Sequence, residues 1–423
     1  MNRRPARRVA LGALVSIVVV FVGVADAQTP PPSPPPPTPV VVPGGGTSPS
    51  PFPSTLRTPA PRSAQLPEIR SEAAVLADLD TGQVLFARKP NERRPIASLT
   101  KIMTALLVGE RTEPTDVVTV SDDAASGRLA GISSLGLVTG ERIRVNELLY
   151  ALLLQSANDA AVALAEHVSG SVDAFVDDMN ARARRLGLSR TMFTSPNGLD
   201  DDGYSSAGDL VRLTRAAYAG RGFASIVATR FHTVTSLDEP RRIVQNRNIL
   251  LWLYPGAIGV KTGFTSAAGF CVVATAERED MRLIAVVLGE PSEPFSDAAA
   301  LLNYGFAAFD RRTLVEQGER LGVVEIGDRE IPLTAGGSLR RLVPADRPIQ
   351  RTVVLDEHVA YPPAVGSRIG ILRLSAGGGV LGEVPAIVAD VPPPPPPGSG
   401  PWWARAIGAV VDAGAALLNA VVG

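Results

Sequence analysis

The sequence predicts an α+β domain, an antiparallel sheet flanked by helices with a helical subdomain, followed by a small all-β domain. Three observations carry this. Strand-like segments lie at both ends of residues 68–310, with a long helical stretch between them. That order closes a sheet from both termini. Residues 311–390 then change to short strands broken by Gly and Pro, the pattern of a small all-β unit.

The first 27 residues read as an export signal. Arg3, Arg4, Arg7 and Arg8 precede an apolar run from Val9 to Ala25, and Ala25-Asp26-Ala27 fits a small-x-small cleavage site. The apolar run is long for a signal, so an uncleaved N-terminal membrane segment is the alternative. Residues 28–67 are rich in Pro, Ser and Thr and cannot bury a core. They predict a disordered stalk that reaches at most roughly 120 Å at ~3.1 Å per residue.

"AAVLADLDTGQVLFARK" predicts two strands around the turn Asp80-Thr81-Gly82. Helical periodicity runs from Ser98 to about Gly222, and strands resume at "FHTVTS" and "RRIVQN". "GAIGVKTGF", "GFCVVATAERED" and "MRLIAVVLG" predict adjacent antiparallel strands, and "EPFSDAAALLNYGFAAF" a closing helix. Residues 391–400 form a second Pro/Gly linker. In 401–423, Arg405, Asp412 and Asn419 share one stripe of an otherwise apolar helix that starts with Trp402 and Trp403. This predicts a membrane-associated helix lying in the lipid surface, with a marginal span or a helix docked on the protein as alternatives.

Composition narrows the function. A formal net charge of −1 argues against nucleic acid as a partner. A single cysteine excludes an intrachain disulfide framework and a Cys-based zinc site. His167, His232 and His358 are scattered without ligand spacing, so no metal and no cofactor is expected. Cys271 lies in an apolar strand and reads as a packing residue. Asp200-Asp201-Asp202-Gly203 reads as a solvated turn without the EF-hand spacing.

Three stretches carry candidate chemistry. In "PIASLTKIMTALLVGE", Leu99, Ile102, Met103, Leu106 and Leu107 mark a buried helix face. Pro95 and small residues start the helix, which puts Ser98 and Lys101 on its first turn. A serine needs a base to become a nucleophile, and a desolvated lysine can be neutral enough to serve. The bland alternative is a capping serine beside a solvated lysine. "LLQSANDAA" breaks an apolar helix, and in extended backbone Ser156 and Asn158 project to one side, toward Lys101 or a substrate amide. The alternative is a turn with Asp159 as N-cap. "GVKTGF" puts Lys261, Thr262 and Gly263 in a strand. Glycine there is costly unless another backbone comes close, and the lysine and hydroxyl suit a carboxylate-ended peptide on the strand edge. The alternative is a β-bulge with a solvated lysine.

S-x-x-K, S-x-N and K-T-G in this order are far more specific together than apart. With "TMFTSPNGLD", "QNRNILL" and "YPPAVGSRIG", the chain resembles the penicillin-recognising serine hydrolases from about Ala73 to Val391. Among them it is similar to the serine-type D-alanyl-D-alanine carboxypeptidases, the low-molecular-mass penicillin-binding proteins. The resemblance implies that Ser98 is acylated, Lys101 activates it, and Ser156 and Asn158 assist proton transfer and bind the substrate backbone. It implies that Lys261, Thr262 and Gly263, with Arg247, hold the terminal carboxylate, and that the backbone N–H groups of Ser98 and Phe264 form the oxyanion hole. The implied partners are peptidoglycan stem peptides and β-lactam antibiotics, met on the outer face of the cytoplasmic membrane. "SPNGLD" departs from the family's usual Asn-Pro-His-Gly-Leu at Ser195 and Asn197.

A β-lactamase shares the three motifs, but the Glu-x-x-x-Asn loop of a class A enzyme is absent between Asn158 and Lys261. An endopeptidase acting on cross-links uses the same site. A degenerate peptidoglycan-binding module would have lost Ser98 or Lys101, and both are present.

Overall fold

The computed structural model describes residues 65–126, 133–238, 241–327 and 329–393. The expected export signal, nearly all of the stalk, most of the second linker and the C-terminal helix lie outside the described residues.

The hairpin β1 (Ala73–Asp78) and β2 (Val84–Arg88) comes first. The helical region contains α1 (Lys101–Arg111), α2 (Asp122–Ser126), α3 (Val145–Tyr150), α4 (Asn158–Ser169), α5 (Val172–Arg185), α6 (Ala207–Tyr218), α7 (Phe223–Ala228) and α8 (Leu250–Leu253). Short antiparallel pairs tie it together: β3 (Arg94–Pro95) with β6 (Tyr204–Ser205), β4 (Val117–Thr119) with β5 (Arg142–Arg144), and β7 (Phe231–Thr235) with β8 (Arg241–Gln245). Pro95 therefore belongs to a strand and does not open a helix. The long strands β9 (Ala257–Thr265), β10 (Gly269–Arg278) and β11 (Met281–Glu290) follow, then α9 (Pro294–Ala308).

The main sheet has the order β2-β1-β11-β10-β9 and is antiparallel throughout. N- and C-terminal segments thus meet at the β1–β11 pair, where Ala73 lies opposite Leu288. Every residue of β1 is buried because both faces of the sheet are covered. Val75, Val273 and Val286 face the helical core with Leu99, Met103 and Leu164. Leu76, Val272 and Val287 face a second core made with Leu301 and Leu302 of α9. Proline at the first position of α9 has no N–H to leave unpaired there.

β12 (Phe309–Val315) pairs with β15 (Leu339–Pro344). β13 (Arg320–Ile326), β14 (Arg329–Ala335), β16 (Gln350–Leu355), β17 (Arg368–Ala376) and β18 (Gly379–Val388) form a sheet of order β13-β14-β18-β17-β16. Phe309 and Leu342 enter the second core. Gln83 donates to the Leu342 carbonyl at 2.7 Å and accepts from its N–H at 3.2 Å.

Candidate active site

The nucleophile segment is a bent entry into α1. Ala97 to Thr100 make a 3-10 turn, and Ala97 takes a left-handed φ of 47°. Ser98 therefore sits in this turn, one step ahead of the α-helix rather than on its first turn. The spacing still works, because residues three apart remain on one side. Leu99, Ile102, Met103, Leu106 and Leu107 are buried, so the apolar face anchors the turn as the periodicity predicts.

Lys101 is fully buried and its Nζ has three neighbours. Ser98 Oγ lies at 3.0 Å, Asn158 Oδ1 at 2.7 Å and the Asn197 carbonyl oxygen at 2.7 Å. A neutral amine has two N–H donors and one lone pair. Two donors to the amide and carbonyl oxygens leave the lone pair for the Ser98 hydroxyl proton. Burial holds the Lys101 amine well below the ordinary lysine range, and the cations of Lys261 and Arg247 push the same way; Asp159 opposes them.

Ser156 and Asn158 are not in extended backbone. Ala151 to Gln155 form a π-helical turn, Ser156 is left-handed at φ 65° and ψ 33°, and Asn158 begins α4. The polar break interrupts a helix that resumes at once, so helical geometry replaces the alternation of a strand. Asn158 reaches Lys101 directly, whereas the Ser156 hydroxyl makes no direct bond to it. Ala157 is the cap residue of α4, and Asp159 serves another purpose.

Among the described residues β9 is an edge strand, paired only with β10. Its free edge leaves backbone groups for an added peptide strand. Gly263 suits close packing: a Cβ there would crowd backbone, 3.0 Å from the Ile96 carbonyl oxygen and 3.1 Å from the Ser98 nitrogen. The expected approach of another backbone is met by the nucleophile turn. The Lys261 ammonium is buried and donates to the Thr262 carbonyl at 2.8 Å. Burial, with the Arg247 cation beside it, lowers it to about 7. Phe264 is exposed and packs on Phe270 with ring centroids 4.5 Å apart.

The "QNRN" segment explains itself in three dimensions. Asn246 donates to the carbonyls of Val227 and Thr229 and accepts from the Asn248 N–H at 2.9 Å. The Arg247 N–H donates to the Leu154 carbonyl, at the π-helical turn before Ser156. The two asparagines lock the turn that presents Arg247. Among the described residues no carboxylate pairs with its guanidinium, so it is an open cation beside Lys261.

Asn197 is a site residue that sequence reasoning missed, because it acts through a backbone carbonyl. Its Asn-Gly turn was the available signal. Pro196 accepts from Thr104 Oγ1 at 2.6 Å, which ties the same loop to α1. Asp201 accepts from Thr265 Oγ1 at 2.9 Å, so the acidic turn is docked on the end of β9. Cys271 is buried, and burial pushes its thiol up to about 11. His232 stacks on Tyr150 and bonds to Glu147 at 3.1 Å, far from metal-ligand geometry.

A serine, a buried amine and an open strand edge with cations beside it define a serine acyl-transfer peptidase. The family model described as D-alanyl-D-alanine carboxypeptidase matches residues 60–292. D-alanyl-D-alanine carboxypeptidase DacF of Bacillus subtilis is 33% identical over 334 residues, 76% of this chain and 85% of that protein. D-alanyl-D-alanine carboxypeptidase DacD of Escherichia coli is 38% identical over 285 residues, 64% of this chain and 72% of that protein. The crystal structure of penicillin binding protein 5 from Haemophilus influenzae superposes with a TM-score of 0.67 at 32% identity, covering 78% of this chain and 100% of that one. The chain belongs to the D-alanyl-D-alanine carboxypeptidase family.

Proposed function

We propose that this serine carboxypeptidase removes the terminal D-alanine of peptidoglycan pentapeptides through an acyl-enzyme on Ser98. The observation that carries the reading is the environment of Lys101: fully buried, with Ser98 Oγ at 3.0 Å and two carbonyl-type acceptors at 2.7 Å.

Lys101 takes the Ser98 hydroxyl proton as Oγ attacks the carbonyl carbon between the two D-alanines. The oxyanion forms against the backbone N–H groups of Ser98 and Phe264, whose donors are fixed before the charge develops. The C–N bond then breaks, and the leaving amine receives the proton through Lys101 and Ser156. Water attacks the ester, Ser98 recovers its proton, and the shortened peptide leaves. Asn158 binds the substrate backbone. Lys261, Thr262, Gly263 and Arg247 hold the carboxylate of the departing residue on the edge of β9. A β-lactam presents a similar carboxylate and a strained amide, and it acylates the same serine.

The enzyme acts outside the cytoplasm, in keeping with the Arg-rich, apolar N-terminus. Residues 401–423 place it on the membrane surface; the support is the apolar helix pattern with Trp402 and Trp403. Among the described residues no helix is long and apolar enough to cross a membrane. The activity is tested by release of free D-alanine from a soluble peptide ending in Lys-D-Ala-D-Ala, with Ser98→Ala as control. Release that persists in the control would end the proposal.

A further inference from the structure

Asp159 is fully buried, and among the described residues no cation pairs with it. Five hydrogen-bond donors meet its carboxylate, four of them from one short segment. Oδ1 accepts from the N–H groups of Leu135 at 2.9 Å and Ala160 at 2.9 Å. Oδ2 accepts from the Ser134 hydroxyl at 2.6 Å and the N–H groups of Gly136 at 2.8 Å and Leu137 at 3.1 Å. Converging N–H and O–H donors satisfy both oxygens of a buried carboxylate without a counter-cation.

The segment that Asp159 gathers is the one that grips both sides of Ser156. The Asn158 N–H donates to the Ser133 carbonyl at 2.9 Å. The Gln155 side chain donates to the Ser134 carbonyl at 2.9 Å. Ser156, between them, holds a left-handed conformation that a serine adopts only when its surroundings impose it. We propose that Asp159 is a positioning residue: it folds residues 133–137 into the clamp that fixes Ser156 and brings Asn158 onto Lys101.

The inference rests on the reading of Ser98 as the acylated serine. It predicts two separable effects. Losing the carboxylate loosens the clamp and slows acylation. It also removes the negative charge that opposes Lys261 and Arg247 at Lys101, so the Lys101 amine becomes still easier to deprotonate and the acid limb of the rate profile moves to lower pH. A purely structural role would lower the folded fraction without slowing acylation by the molecules that remain folded.

The test is the acylation rate of the full chain by a fluorescent penicillin, from about pH 5 to about pH 10, with mass spectrometry locating the label and thermal unfolding run alongside. Asp159→Asn is expected to slow plateau acylation about 100-fold, in the range of one misplaced proton-transfer group, and to shift the acid limb downward. Ser134→Ala removes the bond to Asp159 and the one its hydroxyl accepts from the Gly136 N–H at 3.0 Å, and no charge; it is expected to slow acylation several-fold with the limb unmoved. A wild-type rate and limb in Asp159→Asn, or a loss equal to its unfolded fraction, would overturn the inference. If that variant does not fold, Ser134→Ala decides: a wild-type rate there overturns it, and a slower rate with an unchanged unfolding midpoint supports it. Absence of label on Ser98 in the wild type would instead overturn the site reading, and this inference with it.

Discussion

Gly198 leaves no room for a side chain against Ala97: a Cβ on it would lie 2.0 Å from the Ala97 carbonyl oxygen and 2.7 Å from Thr100 Oγ1. Gly198 also has a left-handed φ of 72°. Its neighbour Asn197 supplies the carbonyl that holds Lys101. Gly198→Ala is therefore expected to push this loop off the nucleophile turn. Penicillin acylation should fall on the order of 100-fold, with a stability loss of about 1–3 kcal/mol. Acylation within threefold of wild type would mean that the loop does not set the geometry of Lys101.

Lys101 itself admits a sharper test. Lys101→Ala removes the proton acceptor while leaving Ser98 in its turn. General-base removal is expected to cost about 10²–10⁴-fold in acylation. The folded state should lose about 1–3 kcal/mol, because Asn158 Oδ1 and the Asn197 carbonyl lose this donor. Stopped-flow acylation and a denaturant melt, measured together, check both halves. A wild-type acylation rate would remove Lys101 from the mechanism.

The pH profile follows from two buried amines with opposite requirements. Lys101 must be neutral to take a proton, so activity is lost as pH falls through its depressed value. Lys261 must be charged to bind the carboxylate, and in the free enzyme it titrates at about 7. The alkaline limb of kcat/KM should therefore begin near pH 7. In the complex the bound carboxylate favours the charged form, so the alkaline limb of kcat should lie higher. Lys261→Arg keeps its charge throughout and should abolish the kcat/KM limb. An unchanged limb in that variant would assign it to another group.

Much of this was legible from the sequence where the physics is local. Ser98 and Lys101 lie three residues apart, so any helical turn, 3-10 or α, brings them to one side. The strands of the main sheet were legible from their apolar runs, and Gly263 from the oddity of glycine inside one. What failed was backbone conformation at an exception. Ser156 and Asn158 read as extended because two polar residues alternate, yet the surrounding helix imposes a π-helical turn and a left-handed residue. Asn197 was illegible because its carbonyl comes with every residue type, and it lies 96 positions from Lys101 in the chain. Asp159 read as a cap because its partners, residues 134–137, are distant in sequence.

Recognition of the terminal carboxylate makes a further prediction. Desolvation lowers both Lys261 and Arg247, and the Arg247 cation lowers Lys261 further; among the described residues no carboxylate offsets either. A substrate carboxylate fills that role. Amidating the peptide's C-terminus should reduce kcat/KM of the wild type on the order of 100-fold, since charge-assisted bonds contribute about 1.5–3 kcal/mol. A Lys261→Ala/Arg247→Ala variant should turn over the free acid poorly and lose little more on amidation. Equal losses in both enzymes would show that neither cation reads the charge.

The last prediction concerns the junction with the β-rich region. Arg311 of β12 donates to Asp78 Oδ1 of β1 at 2.7 Å, and their side chains are 6% and 0% exposed. Thr81 Oγ1 also donates to this carboxylate at 2.6 Å. Breaking a buried pair leaves an uncompensated charge, so Arg311→Ala should cost about 3–5 kcal/mol. Replacing both partners removes the charge as well as its counter-charge, so an Asp78→Asn/Arg311→Met variant should recover most of the loss. The pair joins β1 to β12 and contributes no group to Lys101 or Ser98, so D-alanine release by the folded fraction should match wild type in both variants. Urea unfolding with a constant m-value checks the stability terms. A loss below about 1 kcal/mol in Arg311→Ala would show that water reaches Asp78 when the guanidinium is removed.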